Sequence, residues 1–199
     1  MVSIRYRMPM DGSIPRRRLT ADDWTAAALA AIAEGGVDAA AVEPLAKRLG
    51  ATKGSFYWHF ENRRALLDRT MRAWEQAHTD AVIAATAEAP AAAERITDLL
   101  HAVFATIGDP LELALLAAVD DPSVGAAVAR VTERRVAHVE QLYRAAGLDE
   151  AAARSAAVAA VALYLGHAQL AAAAPSSLPT GAAWTAHLTR LRDLLVPGS

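Results

Sequence analysis

Residues 45–67 read LAKRLGATKGSFYWHFENRRALL and set five ring-bearing side chains, Phe56 to Phe60, side by side. A helix buries one face only, so five consecutive rings cannot all be core. Phe56 and Phe60 stand four apart, share a face and are expected to point inward. Lys53, Gly54, Ser55, Tyr57, Trp58 and His59 are then left on the outward faces. Upstream, Leu45, Ala46 and Leu49 give the apolar side of a short helix, Gly50 permits a turn, and Thr52 caps the next helix. A helix, a tight turn and a second short helix push that second helix far enough out to enter a DNA major groove.

An exposed Tyr-Trp-His run needs a cover, since contiguous apolar surface marks an interaction site. With basic neighbours, that cover is expected to be nucleic acid. Tyr57 and His59 are expected to donate to phosphates, Trp58 to press on sugar or a thymine methyl, and Lys53 and Ser55 to reach base edges. Gly54 would allow close backbone approach. The competing expectation packs Trp58 and His59 against the following helix as ordinary core.

Outward from this stretch, the chain reads as all-α, with about nine helices. Thr20 with Asp23 forms an N-terminal capping signal, and Gly35-Gly36 stops the first helix, expected over 20–34. Further helices are expected over 42–49, 52–60, 62–85, 91–107, 110–118, 123–146, 149–173 and 181–195, bounded by glycine, proline and acidic breaks. No window shows the alternation of a strand. Three parts are expected: a flexible basic arm over 1–18, a helix-turn-helix domain over 19–66, and a helical regulatory and dimerisation domain over 67–199.

The net charge of −2 hides an asymmetry. Residues 1–65 sum to +3 and residues 66–199 to −5, a basic head on an acidic body that suits an anionic partner for the head. Cysteine is absent, which removes thiolate nucleophiles and thiolate metal sites. No two of the six histidines lie closer than 19 residues, so no HxxxH or HExxH pair exists. Neither a GxGxxG, a Walker loop nor a GxSxG occurs. No enzyme, metal or cofactor is therefore expected, and without an apolar leader segment the expected location is the cytoplasm.

The motif resembles the DNA-binding domain of the TetR family of bacterial transcriptional regulators. The likeness covers residues 19–67: a leucine-alanine helix, a glycine turn, a short helix ending Tyr-x-His-Phe, and a helix opening Asn-Arg-Arg-Ala-Leu-Leu. It implies that Thr52, Lys53, Gly54, Ser55, Tyr57, Trp58 and His59 face DNA and that Arg63 contacts a phosphate. Ala41 stands where members often cap the second helix with Ser or Thr. The resemblance also implies a homodimer on a near-palindromic double-stranded operator and a body that binds a small-molecule effector, most often as a repressor released by that effector.

In the body, the large or polar residues Trp74, His101, Phe104, Tyr143 and Gln169 are the candidates for ligand contact. The alanine-dense helix 151–174 is read as a dimer helix and not a membrane span, because Arg154, His167 and Gln169 interrupt it. Leu163, Leu165, Leu170, Trp184, Leu188 and Leu191 are its expected apolar contacts. The alternative reading is a helical adaptor whose work is protein contact without a specific operator.

Overall fold

A computed structural model of the chain describes residues 18–86 and 91–196. The arm expected over 1–18 lies outside them apart from Arg18, which is exposed. Among the described residues the regular elements are all helical: α1 Ala21–Gly35, α2 Val42–Arg48, α3 Lys53–Tyr57, α4 Arg63–Glu75, α5 Ala81–Thr86, α6 Ala92–Ala105, α7 Pro110–Leu116, α8 Pro122–Ala145, α9 Glu150–Ala173 and α10 Ala182–Leu195. A π-helical turn, Gln76–Asp80, joins α4 to α5 with no break, so the three form one rod. Counting that rod once recovers the nine expected helices.

The local signals act where they stand. Thr20 and Asp23 close a reciprocal capping box on α1, and Asn62 accepts from the Ala65 N–H at 3.0 Å to start α4. Gly50 turns the chain between α2 and α3 at φ 60, a left-handed conformation that glycine adopts without steric penalty. At the start of α2, Ala41 supplies no side-chain cap. Helix α3 is shorter than the expected 52–60, and Trp58 and His59 form a turn beyond it.

Two hydrophobic clusters organise the interior. The first gathers Trp24, Ala28, Ile32, Leu45, Phe56, Leu66, Met71 and Trp74 and runs on through Leu115 and Val124 to Val131. The second joins Ile96, Val139, Leu142, Tyr143, Ala157 and Val161. Helix α7 packs on α1, α4 on α8, and α8 along α9. The head therefore sits on the body through a continuous core, with the α4–α5 rod passing from one to the other.

Candidate nucleic-acid interface and cavity

The rings of the quoted stretch divide by face. Phe56 is fully buried, edge-on to Trp24 at 5.3 Å and stacked with Phe60 at 5.4 Å. Tyr57 and Trp58 stand 59% and 81% exposed, so Trp58 is not a core residue, and His59 is half-buried beside them. Thr52 accepts from the Ser55 N–H at 3.2 Å and caps α3. A methyl group at Gly54 would meet nothing nearer than the Thr52 hydroxyl at 3.6 Å. Among the described residues nothing demands a glycine there.

Two basic residues are already partnered within the domain. The Lys53 ammonium pairs with Glu43 of α2, both exposed. Arg63 turns back toward the segment after α1, donating from Nε to the Ala40 carbonyl at 3.0 Å and from Nη2 to the Val37 carbonyl at 2.7 Å. Those bonds anchor the entry to α2 that Ala41 leaves uncapped, and only the rest of the guanidinium is open to a phosphate. The fold subsumes Arg48 and Arg69 as well, in pairs with Glu34 and Asp22.

The body holds an apolar cavity with about 700 Å³ of unfilled space, its open mouth included. Val82 and Ile83 from α5, Leu99, Val103 and Phe104 from α6, Val139 from α8 and Val161 from α9 supply its walls. Of the five candidates for ligand contact, Phe104 and Tyr143 line it. The other three expected contacts do not. His101 and Gln169 point to solvent, because each sits on the outer face of its helix. Trp74 is buried in the first cluster and does not line the cavity, although the guanidinium carbon of Arg135, which does, lies 6.0 Å from its ring. His78, Thr79, Arg135, His138 and Tyr164 line the cavity without having been singled out in the sequence. For Thr79 and His78 no sequence signal existed, since they depend on the π turn.

Apart from His78, whose Nδ1 lies 3.5 Å from Asp109, the polar groups in and just behind the cavity wall fall into two sets. Glu112, Arg135 and Tyr164 satisfy one another: Arg135 donates to Glu112 at 2.5 Å, and the Tyr164 hydroxyl donates to its other oxygen at 2.6 Å. Burial, then the Glu112 charge, pushes the Tyr164 phenol far above its ordinary range, so it stays protonated. By contrast the Tyr143 hydroxyl, His138 Nε2 and Thr79 hydroxyl are buried with no hydrogen-bond partner among the described residues. Burial, assisted by Arg95, holds His138 below the ordinary histidine value, and burial raises Tyr143.

The dimer candidates also divide. Leu170 is 40% exposed, and Leu163, Trp184 and Leu188 are half-buried. Leu191 is 6% exposed within its own chain, which removes it as an intersubunit contact. Leu165 packs against the second cluster of the same chain. The Trp184 ring lies 6.1 Å from that of Phe104. The exposed face of α9 carries Val158, Ala159, Ala162 and Gly166 as well as Leu170. By length and composition α9 would cross a bilayer, but Ala153, Ala157, Val161, Tyr164 and Ala168 are buried against the body.

This arrangement is a helix-turn-helix head on an all-helical body. Residues 25–70 match the sequence profile of bacterial regulatory proteins of the tetR family. Over 57 residues the chain is 46% identical to the class A tetracycline repressor protein from transposon 1721 of Escherichia coli. That match takes in 28% of this chain and 26% of the repressor, so the chain spans about a quarter of its relative's length. The likeness to the tetR family is thus carried by the N-terminal residues 25–70. Similarity of fold extends further. The reduced form of Escherichia coli NemR superposes with a TM-score of 0.74 at 16% identity, covering 90% of this chain and 99% of that one. A transcriptional regulator from Pseudomonas aeruginosa PAO1 gives 0.74 at 20%, covering 91% and 92%. The fatty acid degradation regulator FadR from Bacillus halodurans gives 0.67 at 19%, covering 89% and 95%.

Proposed function

We propose that the protein is a homodimeric, cytoplasmic transcriptional repressor that binds a near-palindromic operator through α3 and leaves it when a small molecule enters the body cavity. The exposure of Trp58 and Tyr57 on a helix whose Phe56 and Phe60 are core carries this reading. Such rings gain little from the fold and much from a partner's surface. Thr52, Lys53, Gly54, Ser55 and His59 complete the face, and Arg63 steadies it from behind. Gly54, unneeded sterically within the chain, gives a phosphate backbone room to approach.

Dimerisation is assigned to the outer face of α9 with Leu194 of α10. Val158, Leu170 and Leu194 are 48%, 40% and 76% exposed, and Gly166 meets nothing where a methyl would stand. Small residues at that spacing let a second helix come close, and a two-fold axis there would present two α3 helices to successive major grooves. The rod α4–π–α5 begins beside α3 and ends in the cavity wall at His78, Thr79, Val82 and Ile83. It supplies the physical connection an effector needs.

Mobility shift with genomic fragments flanking the protein's own gene tests the reading. A retarded complex abolished by Lys53→Ala with Tyr57→Phe, and footprinted over two half-sites about one helical turn or a multiple apart, is expected. Binding that survives both substitutions, or a footprint on a single half-site, refutes it.

A further inference from the structure

The cavity's wall carries no unbalanced charge, yet it holds hydrogen-bonding atoms with nothing to bond. Its single guanidinium, Arg135, is committed to Glu112, and that carboxylate is closed off on its other oxygen by Tyr164. His78 also lines the void, its Nδ1 3.5 Å from a carboxylate oxygen of Asp109, and apart from Thr79 and His138 the remaining walls are aliphatic or aromatic. Within this surface the Tyr143 hydroxyl belongs to a residue 1% exposed and the Thr79 hydroxyl to one 2% exposed, and neither has a partner. His138 Nε2 is the third such atom. Buried polar groups are nearly always bonded, so three orphans around one void mark the place of an absent bonding group.

From this we infer that the cavity takes an uncharged, mostly apolar molecule carrying a hydroxyl, phenol or ketone that bonds Tyr143 and His138. The inference rests on the regulator reading and names the effector class of that same cavity. A carboxylate or ammonium ligand would have to leave water for a wall with no free countercharge, which is strongly unfavourable. Arg95 stands outside that wall: its charge is felt at His138, its Nε has no partner among the described residues, and it does not line the void. A neutral hydroxyl can both donate and accept, and so can satisfy a phenol and an imidazole together. A fully apolar molecule would fill the void but leave all three orphans unbonded.

The test is a calorimetric titration of the full chain, without DNA, with matched probes on two skeletons: naphthalene, 2-naphthol and 2-naphthoate, then decane, 1-decanol and decanoate. On at least one skeleton the alcohol should bind about three- to tenfold more tightly than the hydrocarbon, as one net hydrogen bond allows. The carboxylate should bind more weakly than the alcohol by on the order of a hundredfold. Tyr143→Phe should erase the alcohol's advantage over the hydrocarbon while leaving hydrocarbon binding intact. Because it removes an unbonded buried hydroxyl, it should melt no lower than wild type, so a misfolded variant cannot mimic the result. His138→Leu should erase part of the same advantage. Carboxylates that bind as tightly as alcohols would overturn the inference and point to Arg95. So would the failure of every uncharged probe to bind, or an alcohol preference unchanged in Tyr143→Phe. Since no operator is present, any of these leaves the mobility-shift result standing on its own.

Discussion

Tyr164 of α9 donates its hydroxyl to Glu112 of α7 across 2.6 Å, and so ties the helix assigned to dimerisation to the one that packs on α1 of the head. Arg135 of α8 completes the tie at 2.5 Å and lies 5.6 Å from the Tyr164 ring. Three helices of the body thus meet on one carboxylate beside the cavity. Glu112→Gln leaves a largely buried guanidinium unpaired and should destabilise the fold by about 3 kcal/mol. Tyr164→Phe should remove about 1 kcal/mol. Urea unfolding gives both numbers, and equal midpoints for the two variants would mean that the pair carries no special weight.

Gly54 should separate stability from function. Alanine there meets only ordinary contact within the chain, so Gly54→Ala should stabilise the fold by about 0.4–1 kcal/mol through the unfolded state. The same methyl would occupy the space offered to a phosphate backbone and should weaken operator binding. A variant that gained stability and kept full affinity would show that α3 does not approach DNA at this residue.

Lys53, Tyr57 and Glu43 should respond differently. Lys53→Ala should lose about 1–3 kcal/mol and relax preference at one base position. Tyr57→Phe removes a phosphate donor and should weaken all sites alike. Glu43→Gln frees the Lys53 ammonium from its intrachain partner and should tighten binding, most visibly at low salt. Binding isotherms on an operator and its single-base variants distinguish the three, and looser binding by Glu43→Gln would place Lys53 away from the DNA.

Acid should destabilise the body. His167 donates from Nδ1 to the Leu163 carbonyl at 2.8 Å, which leaves its Nε2 to accept from His187 Nε2–H at 2.9 Å. Desolvation, then His167 and Arg190, lowers the His187 pKa from 6.5, and desolvation, then Arg95, lowers that of His138. Both groups bind protons less readily folded than unfolded. Their contribution to stability is therefore complete above the unfolded value of 6.5 and is lost as pH falls through the folded values. Melting temperatures should drop between pH 7.5 and 5, and the drop should shrink in a His138→Leu, His187→Gln double variant. An identical slope in the double variant would assign the acid sensitivity to other groups.

At the dimer face, Gly166→Leu adds a side chain where the isolated chain has open space. It should leave the far-ultraviolet spectrum intact and shift the sedimentation coefficient to that of a monomer. Leu191→Ala should do the reverse, lowering stability by about 2–4 kcal/mol with association retained in the folded fraction. A Gly166→Leu dimer as tight as wild type would move the interface off α9.

The head was legible in the sequence because its determinants are local. The Thr20 capping box, the Gly50 turn, the Asn62 cap and the four-residue spacing of Phe56 and Phe60 each act within a turn or two of helix, and neighbouring residue types decide the outcome. What those residues meet across space was decided by tertiary structure alone. Glu43 takes Lys53 and Arg63 anchors the segment before α2 because separate helices converge there. In the body, the size or polarity of His101 and Gln169 within alanine-rich helices carried no information about direction, and both face water. The π turn after Glu75 shifts the helical phase so that His78 and Thr79 reach the cavity, a change that no periodicity records. A void is defined by what surrounding helices fail to fill, so its walls and its three unbonded polar atoms exist only once α5, α6, α8 and α9 have packed.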